Sequence, residues 1–505
     1  MSVGVNLINH NSLSSNFCMN SLTRQLGLLS LTATGICSMV GASIYVVPFM
    51  VQRHVPGVTS FVWAAFLFAA LPALMAAFAY AILSSAMPRA GGSYIYVSRG
   101  LHPYLGFVAS FSQWFGLCVA IGAVSYVIIP FVRDVLVAVG APHLANTIMA
   151  PKLRLALALA LLWSFVWVNV RGVKAYEKTL LPLMGLMFVL GSVVIVLGLV
   201  YNQQDFVTAL QQQNKSVALL PPSFDLRSFL AASAILFSSF IGFDSIAQAG
   251  GEAKEPHKLL PRAIALAVLV VGLFYFLFTS SVYHMVPWQF VASEAQKQDV
   301  TAPGLLSHIV PGWLTVWIVA GAAVALTNDL PAMLLSVSRL LFAWSADGIF
   351  PKRWAVVHPQ YHTPQRAILL SGLVATGGIV GCYLAADFFM GVDVLVIAML
   401  FNFLLMCVTV LTIHRVNPAL GAEVKIVRAR WLQRTIAVLG ISLISLFLVI
   451  HVQRDLAQQQ PYWYFHSTYV WLVVMLMGSV IFWREYRQLK KNTDVKTLFQ
   501  QLPNE

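Results

Sequence analysis

The stretch Gly35-Ile36-Cys37-Ser38-Met39-Val40-Gly41-Ala42-Ser43, with Pro48 close behind, sits in the middle of the first long apolar run of this chain. A helix facing lipid would continue there without small or helix-breaking residues, because the hydrocarbon offers its backbone no other hydrogen-bond partner. A second stretch of the same kind, Ser238-Ser239-Phe240-Ile241-Gly242-Phe243-Asp244-Ser245 followed by Gly250-Gly251, interrupts the sixth apolar run. Gly41 and Gly242 are 201 residues apart, and each stands in the segment that opens a block of apolar runs. One interruption alone reads as close helix packing. Two at matching positions in two halves point to an inverted-repeat carrier whose solute site lies at the bilayer midplane, between the breaks.

Outward from these two stretches, apolar runs occur at 28–50, 58–86, 104–132, 153–170, 179–201 and 228–250, then at 259–286, 313–343, 367–385, 392–413, 436–451 and 468–483. About 20 apolar residues cross a hydrocarbon core of about 30 Å as a helix. Of 505 residues, 59% are hydrophobic and 10% charged, against roughly a quarter charged in a soluble chain. The expectation is therefore an all-α integral membrane protein with about twelve transmembrane helices and membrane lipid as its surroundings. Its parts would be a tail at 1–26, a first repeat of five helices at 27–201, a second at 227–413, two further helices within 433–485, and a tail at 486–505.

The net charge of +13 raises the question of nucleic acid, which the placement of the bases answers. With the amino terminus in the cytoplasm, only Arg53, Arg133, Lys152, Arg154, Lys215, Arg227, Lys297 and Arg454 of the 31 Lys and Arg fall outside. That asymmetry follows the positive-inside rule, puts both termini inside, and makes the charge a topology signal, with no nucleic acid as partner. Cys18, Cys37, Cys118, Cys382 and Cys407 are scattered without metal-ligand spacing and read as small core residues, so no metal or cofactor is expected. The first 26 residues lack the pattern of a cleaved signal peptide, so the first helix is expected to be retained. No paired-His motif or Ser/His/Asp grouping marks the apolar runs, which argues against an enzyme. The absence of organellar signals and of a long regulatory tail favours a bacterial inner membrane.

The first of these stretches, continued by Ile44-Tyr45, resembles the glycine-rich opening motif of the amino acid-polyamine-organocation superfamily. Phe240-Ile241-Gly242-Phe243-Asp244, leading to Gly251-Glu252-Ala253-Lys254-Glu255-Pro256 and Pro261-Arg262, resembles its sixth-helix signature. Pro88-Arg89-Ala90-Gly91-Gly92-Ser93-Tyr94, Arg171-Gly172-Val173-Lys174 and Ser338-Arg339-Leu340-Leu341-Phe342 with Asp347-Gly348 match as well. The resemblance implies a leucine-transporter-type fold with two inverted five-helix repeats and two extra helices. It also implies an amino acid or related amine as cargo, and alternating access by rocking of helices one, two, six and seven. Cys37 and Ser43 stand where the family usually has glycine.

A zwitterionic cargo needs partners for a carboxylate and an ammonium. Amides of Gly41, Ala42 and Ser43, with the Ser43 hydroxyl, would receive the carboxylate at a half-helix start. Carbonyls of Phe240, Ile241 and Gly242 would receive the ammonium. Ser38, Met39 and Val40 would face the ligand, Phe243 leans toward an apolar pocket, and family analogy adds Gly116 and Met333 at the side-chain end. Asp244 and Asp329 are carboxylates deep in apolar runs, functional candidates because charge is costly there, and protonation of either would couple proton movement to transport. For Asp244, contact with a cationic substrate and capping of free amides are the other roles that fit. Thr327, Asn328 and Asp329 would supply oxygens if sodium were the coupling ion. The loop 251–262 reads as a solvated cap, with gating by its salt bridges as the alternative, and the histidines read as interfacial. The function expected is a secondary active transporter working by symport or antiport; a solute sensor or channel retaining the fold is the alternative.

Overall fold

The computed structural model describes residues 22–214, 224–385, 389–458 and 462–503, with the side chains at 42, 43, 56, 385, 389 and 390 outside that description. Cys18, Lys215 and most of the expected amino-terminal tail lie outside the described residues. The first apolar run forms α1 (Leu28–Met39), then breaks, and resumes as Ala42–Tyr45 and Val47–His54. Next come α2 (Val62–Ala86), α3 (Pro103–Ala138), α4 (Pro151–Val170) and α5 (Val173–Val200). The sixth run is α6 (Leu226–Leu236), a tight turn at Phe237–Phe240, and a second half at Asp244–Gln248. The remaining long helices are α7 (Pro256–Met285), α8 (Gly312–Ala346), α9 (Gln365–Ala385), α10 (Phe389–Val416), α11 (Arg430–Ala457) and α12 (Ser467–Asn492), followed by the short α13 (Val495–Gln500).

Among the described residues, eleven helices are long and apolar enough to cross a membrane, and α1 is a shorter apolar helix because of its break. Leu269, Leu384, Leu476 and Val480 on their outer faces are more than two-thirds exposed. Large apolar side chains so placed fit a molecule whose solvent is hydrocarbon. The interior is a continuous apolar core in which helices of both halves interdigitate, with α3 packed on α8, α9 and α10 and with α7 packed on α2. The chain is a multi-pass, all-helical membrane protein.

Helix ends depart from the apolar runs where a helix continues past the hydrocarbon. The run at 436–451 becomes Arg430–Ala457, and the run at 468–483 extends to Asn492 through Arg484, Arg487, Lys490 and Lys491. Polar residues cost nothing on a helix once it stands in water, so hydropathy does not mark where the helix stops. Short helices also appear that no run announced: Gly92–Gly100 between α2 and α3, Gln203–Gln212 after α5, and Trp288–Lys297 after α7. His451, read as interfacial, is 2% exposed inside α11.

Candidate solute site at the helix breaks

The two breaks touch. Gly242 has φ 138°, and a Cβ there would collide with the carbonyl of Ser38. Only glycine combines that torsion with so close an approach of two backbones. Beside the contact, the hydroxyls of Ser38 and Ser245 are 3.0 Å apart. Where α1 ends, the freed Met39 carbonyl accepts from the Tyr275 hydroxyl at 2.5 Å and from the Gly41 amide at 3.2 Å. Helix ends leave such groups without intrahelical partners, and here an α7 side chain supplies one. The Gly41 amide, expected to be open to a carboxylate, is turned onto this carbonyl in the present state.

A cavity of about 60 Å³ lies at the crossing. Of the residues singled out in sequence, Ser38, Met39, Ile241, Asp329 and Met333 line it, joined by Val47, Ala120, Ala123, Val124, Ser238, Val392 and Leu395. The Asp329 carboxylate packs against Gly41, where any Cβ would overlap it. Asp329 is 5% exposed, and its Oδ1 has no hydrogen-bond partner among the described residues. A second, narrower cavity shares Val47, Ser238 and Val392 with the first and reaches His54, Asp393, His451 and Arg454. The two define a path from the crossing toward the face where the first run ends.

Other expected residues are not among those lining this cavity. Phe240 packs edge-on against Phe66 and Tyr275, at 5.4 and 5.7 Å between ring centroids. Phe243 stacks on Phe403 at 5.0 Å. Val40 is fully buried core. Gly116 lets α3 approach α10 at Leu395 and Ala398, one turn before Ala120 reaches the cavity. The Ala42 and Ser43 side chains lie outside the described residues, while their backbone forms the start of the second half-helix. Thr327, Asn328 and Asp329 do not converge, since successive residues of a helix point about 100° apart. The Thr327 hydroxyl bonds back to Ala323 O at 2.7 Å, the Asn328 amide lies 2.8 Å from Cys37 Sγ, and Asp329 alone faces the cavity.

Asp244 heads a buried polar chain that the sequence did not announce. Its carboxylate accepts from the Gln113 amide. The Asn402 amide donates to Gln113 Oε1 at 3.1 Å and to the Tyr80 hydroxyl at 2.7 Å. Tyr80 and Ser93 share a 2.6 Å hydroxyl contact, and the Gln248 amide donates to Ser93 Oγ at 2.6 Å. Asp244, Gln113, Asn402, Tyr80, Ser93 and Gln248 are all fully buried. Polar residues in apolar runs were the available signal, but their pairing across α2, α3, α10 and the second half of α6 is a tertiary property.

The face where α1 begins is closed. Gln25 and Leu26 donate to Glu252 O at 2.8 and 2.9 Å, and Lys254 donates to Leu26 O at 2.9 Å. Glu252, read as part of a solvated cap, is instead fully buried and held by both Arg339 Nη2 (2.5 Å) and Nε (3.1 Å). Arg99 forks Asp347 in the same way, at 2.5 and 2.8 Å. The cap's other charges behave as expected, with the Lys258–Glu255 pair on the surface.

A membrane bundle closed on one face, with a small acid-bearing cavity at the crossing of two broken helices, defines a carrier-type architecture. The chain belongs to the amino acid permease family, which it matches over residues 26–477. It is 29% identical over 368 residues to cationic amino acid transporter 4 of Mus musculus, covering 70% of this chain and 54% of that protein. It is 28% identical over 371 residues to the methylthioribose transporter of Bacillus subtilis, covering 71% and 75%. The branched-chain amino acid permease BcaP of the same organism is 26% identical over 420 residues, covering 80% and 84%. The chain thus spans about half the length of the mouse relative that it matches.

Proposed function

We propose that this protein is a secondary active transporter of amino acids or related amines, carrying them by alternating access through the cavity at the helix crossing. The observation that carries this reading is the contact of Gly242 with the Ser38 carbonyl beside a cavity holding the Asp329 carboxylate. Paired breaks supply backbone partners for a zwitterion, and Asp329 supplies a counter-charge for an amino group. Family membership and relatives named for cationic and branched-chain amino acids support the same cargo class. In this reading 27–201 and 227–413 are the inverted repeats, with the interrupted first run as the twelfth crossing. Helices within 433–485 are the additions, and both termini face the cytoplasm of a bacterial inner membrane. The closed face is then cytoplasmic and the narrow path leads outward.

Asp329 is the better placed coupling group, since it faces the cavity, whereas Asp244 is enclosed by its amide and hydroxyl chain and acts as a structural anchor of the α6 break. Proton coupling through Asp329 is the reading preferred over sodium, because Thr327 and Asn328 turn away from it. The test is uptake of a panel of radiolabelled amino acids and amines into proteoliposomes, with and without an inward proton gradient and with sodium replaced by potassium. Proton-driven accumulation that is lost in Asp329→Asn supports proton symport. Uptake stimulated only by internal substrate makes the protein an exchanger, and absence of uptake by folded protein favours a sensor or channel.

A further inference from the structure

Beyond the solute path, the residues after α12 fold back across the closed face. Thr493 is extended, and the Asp494 side chain caps α13 by accepting from the Lys496 amide and the Thr497 hydroxyl. The helix carries Phe499 into the protein to 7% exposure, with the Arg99 guanidinium 5.0 Å from its ring centroid. Three successive contacts follow. Gln500 O accepts from Asn417 at 3.0 Å, Gln501 O from Arg99 Nε at 3.3 Å, and Pro503 O from Arg89 Nε at 2.9 Å.

Arg89 and Arg99 bracket the segment that closes this face. Between them, Gly91 N donates to Gln248 O at 3.1 Å, Ser93 N donates to Gln248 Oε1 at 3.3 Å, and Ala90 pairs with Ala249. The 89–99 segment therefore rests directly on the second half of the broken sixth helix, and carbonyls two residues apart in the carboxyl-terminal segment hold its two ends. Behind the strap is a cavity of about 570 Å³, bounded by Tyr486, Lys490, Val495, Phe499, Leu101 and Val416. The strap is anchored most deeply at Phe499, with Val495, Leu498 and Leu502 half-buried against the same core. Asp494, Lys496, Thr497, Gln500 and Gln501 stay exposed, so a short helix with one buried side chain separates from α12 at the extended Thr493.

We propose that residues 494–503 are a detachable latch that holds the 89–99 segment against the sixth-helix half and so keeps this face shut. Its regulatory consequence rests on the transport reading, since release of the latch would ease opening toward this side. The latch itself is independent of that reading. Segments in contact open as cooperative units, so loss of the Phe499 anchor should show at 89–99 as well as in the strap.

Hydrogen–deuterium exchange of the full chain in lipid nanodiscs tests it. In Phe499→Asp, residues 89–100 and 248–254 should exchange about tenfold faster or more, as expected for removing a buried aromatic anchor. The helix Trp288–Lys297, which packs against the opposite end of the first run, should keep its wild-type rate. Arg89→Ala, which leaves Phe499 seated, should move residues 89–100 in the same direction by less, and carries the test if Phe499→Asp does not fold. Free exchange of 494–503 with 89–100 at the wild-type rate overturns the latch. Uptake is measured on the same variants as a separate readout, so failure of the transport reading leaves the exchange result standing.

Discussion

At the scale of single residues, the site turns on two glycines and one carboxylate. Gly242→Ala must place a methyl into the Ser38 carbonyl at a φ of 138°. Strain of this kind costs about 1–3 kcal/mol even before the collision is relieved. The expected outcome is a lower melting temperature and loss of uptake, read by fluorescence-detected thermal unfolding and proteoliposome assay; unchanged values of both would remove the crossing from the mechanism. Asp329→Asn keeps shape and removes the charge in the cavity. It should preserve stability while cutting proton-driven uptake by about tenfold or more, the loss of at least 1.4 kcal/mol of coupling. Gly41, Gly242, Asp244 and Asp329 were all legible as exceptional residues in apolar runs. That Asp329 faces the cavity while Asp244 is wrapped by Gln113 was not, because the direction of a side chain around a helix depends on its neighbours rather than on its own run.

At the scale of elements, the closed face is held by two buried bidentate ion pairs, Arg339–Glu252 and Arg99–Asp347. Removing one partner of such a pair strands a charge and costs about 3–5 kcal/mol, whereas replacing both by apolar residues is often close to neutral. Arg339→Met alone should therefore lower the melting temperature much more than Arg339→Met combined with Glu252→Leu, and equal shifts would mean that the pair is not buried in solution. The Asp494 cap behaves differently. The Thr497 hydroxyl donating to it holds its carboxyl below the usual carboxylate range. A lowered value means that the cap's contribution is present above the ordinary Asp range and is lost only as pH falls through the depressed value. Exchange in 494–503 should accordingly be the same at about pH 8 and about pH 5, after correction for intrinsic rates, both being above the ordinary Asp range. The apolar periodicity located the long helices well. It missed Gly92–Gly100, which is buried throughout but short and carries Ser93, Ser98 and Arg99, and α13, which buries Phe499 alone; neither has the length that hydropathy detects.

At the scale of the whole molecule, the central cavity of about 60 Å³ holds one or two waters' worth of space, a water occupying about 30 Å³ of liquid. No amino acid fits without movement, so cargo must select or create a wider state. A transported substrate should then raise the melting temperature, by about 2.7 kcal/mol of stabilisation at a hundredfold excess over its Kd. It should also change the labelling rate of a cysteine placed at Val47 on the outward path. A substrate that stabilised the protein without changing that rate would bind elsewhere.

The crossing of the two breaks has a consequence for biogenesis. The Ser38 carbonyl and Gly242 are separated by more than two hundred residues of chain, and Tyr275, which takes up the Met39 carbonyl, is made later still. While the ribosome is still synthesising the segments between, the broken backbone of the first run has only its local Gly41–Met39 bond and lacks the Tyr275 hydroxyl that completes it. Its final shape is set only once the seventh helix has been inserted. Damage at this crossing should therefore be recognised during synthesis and appear in cells chiefly as degraded protein, before any slow carrier reaches its place of work.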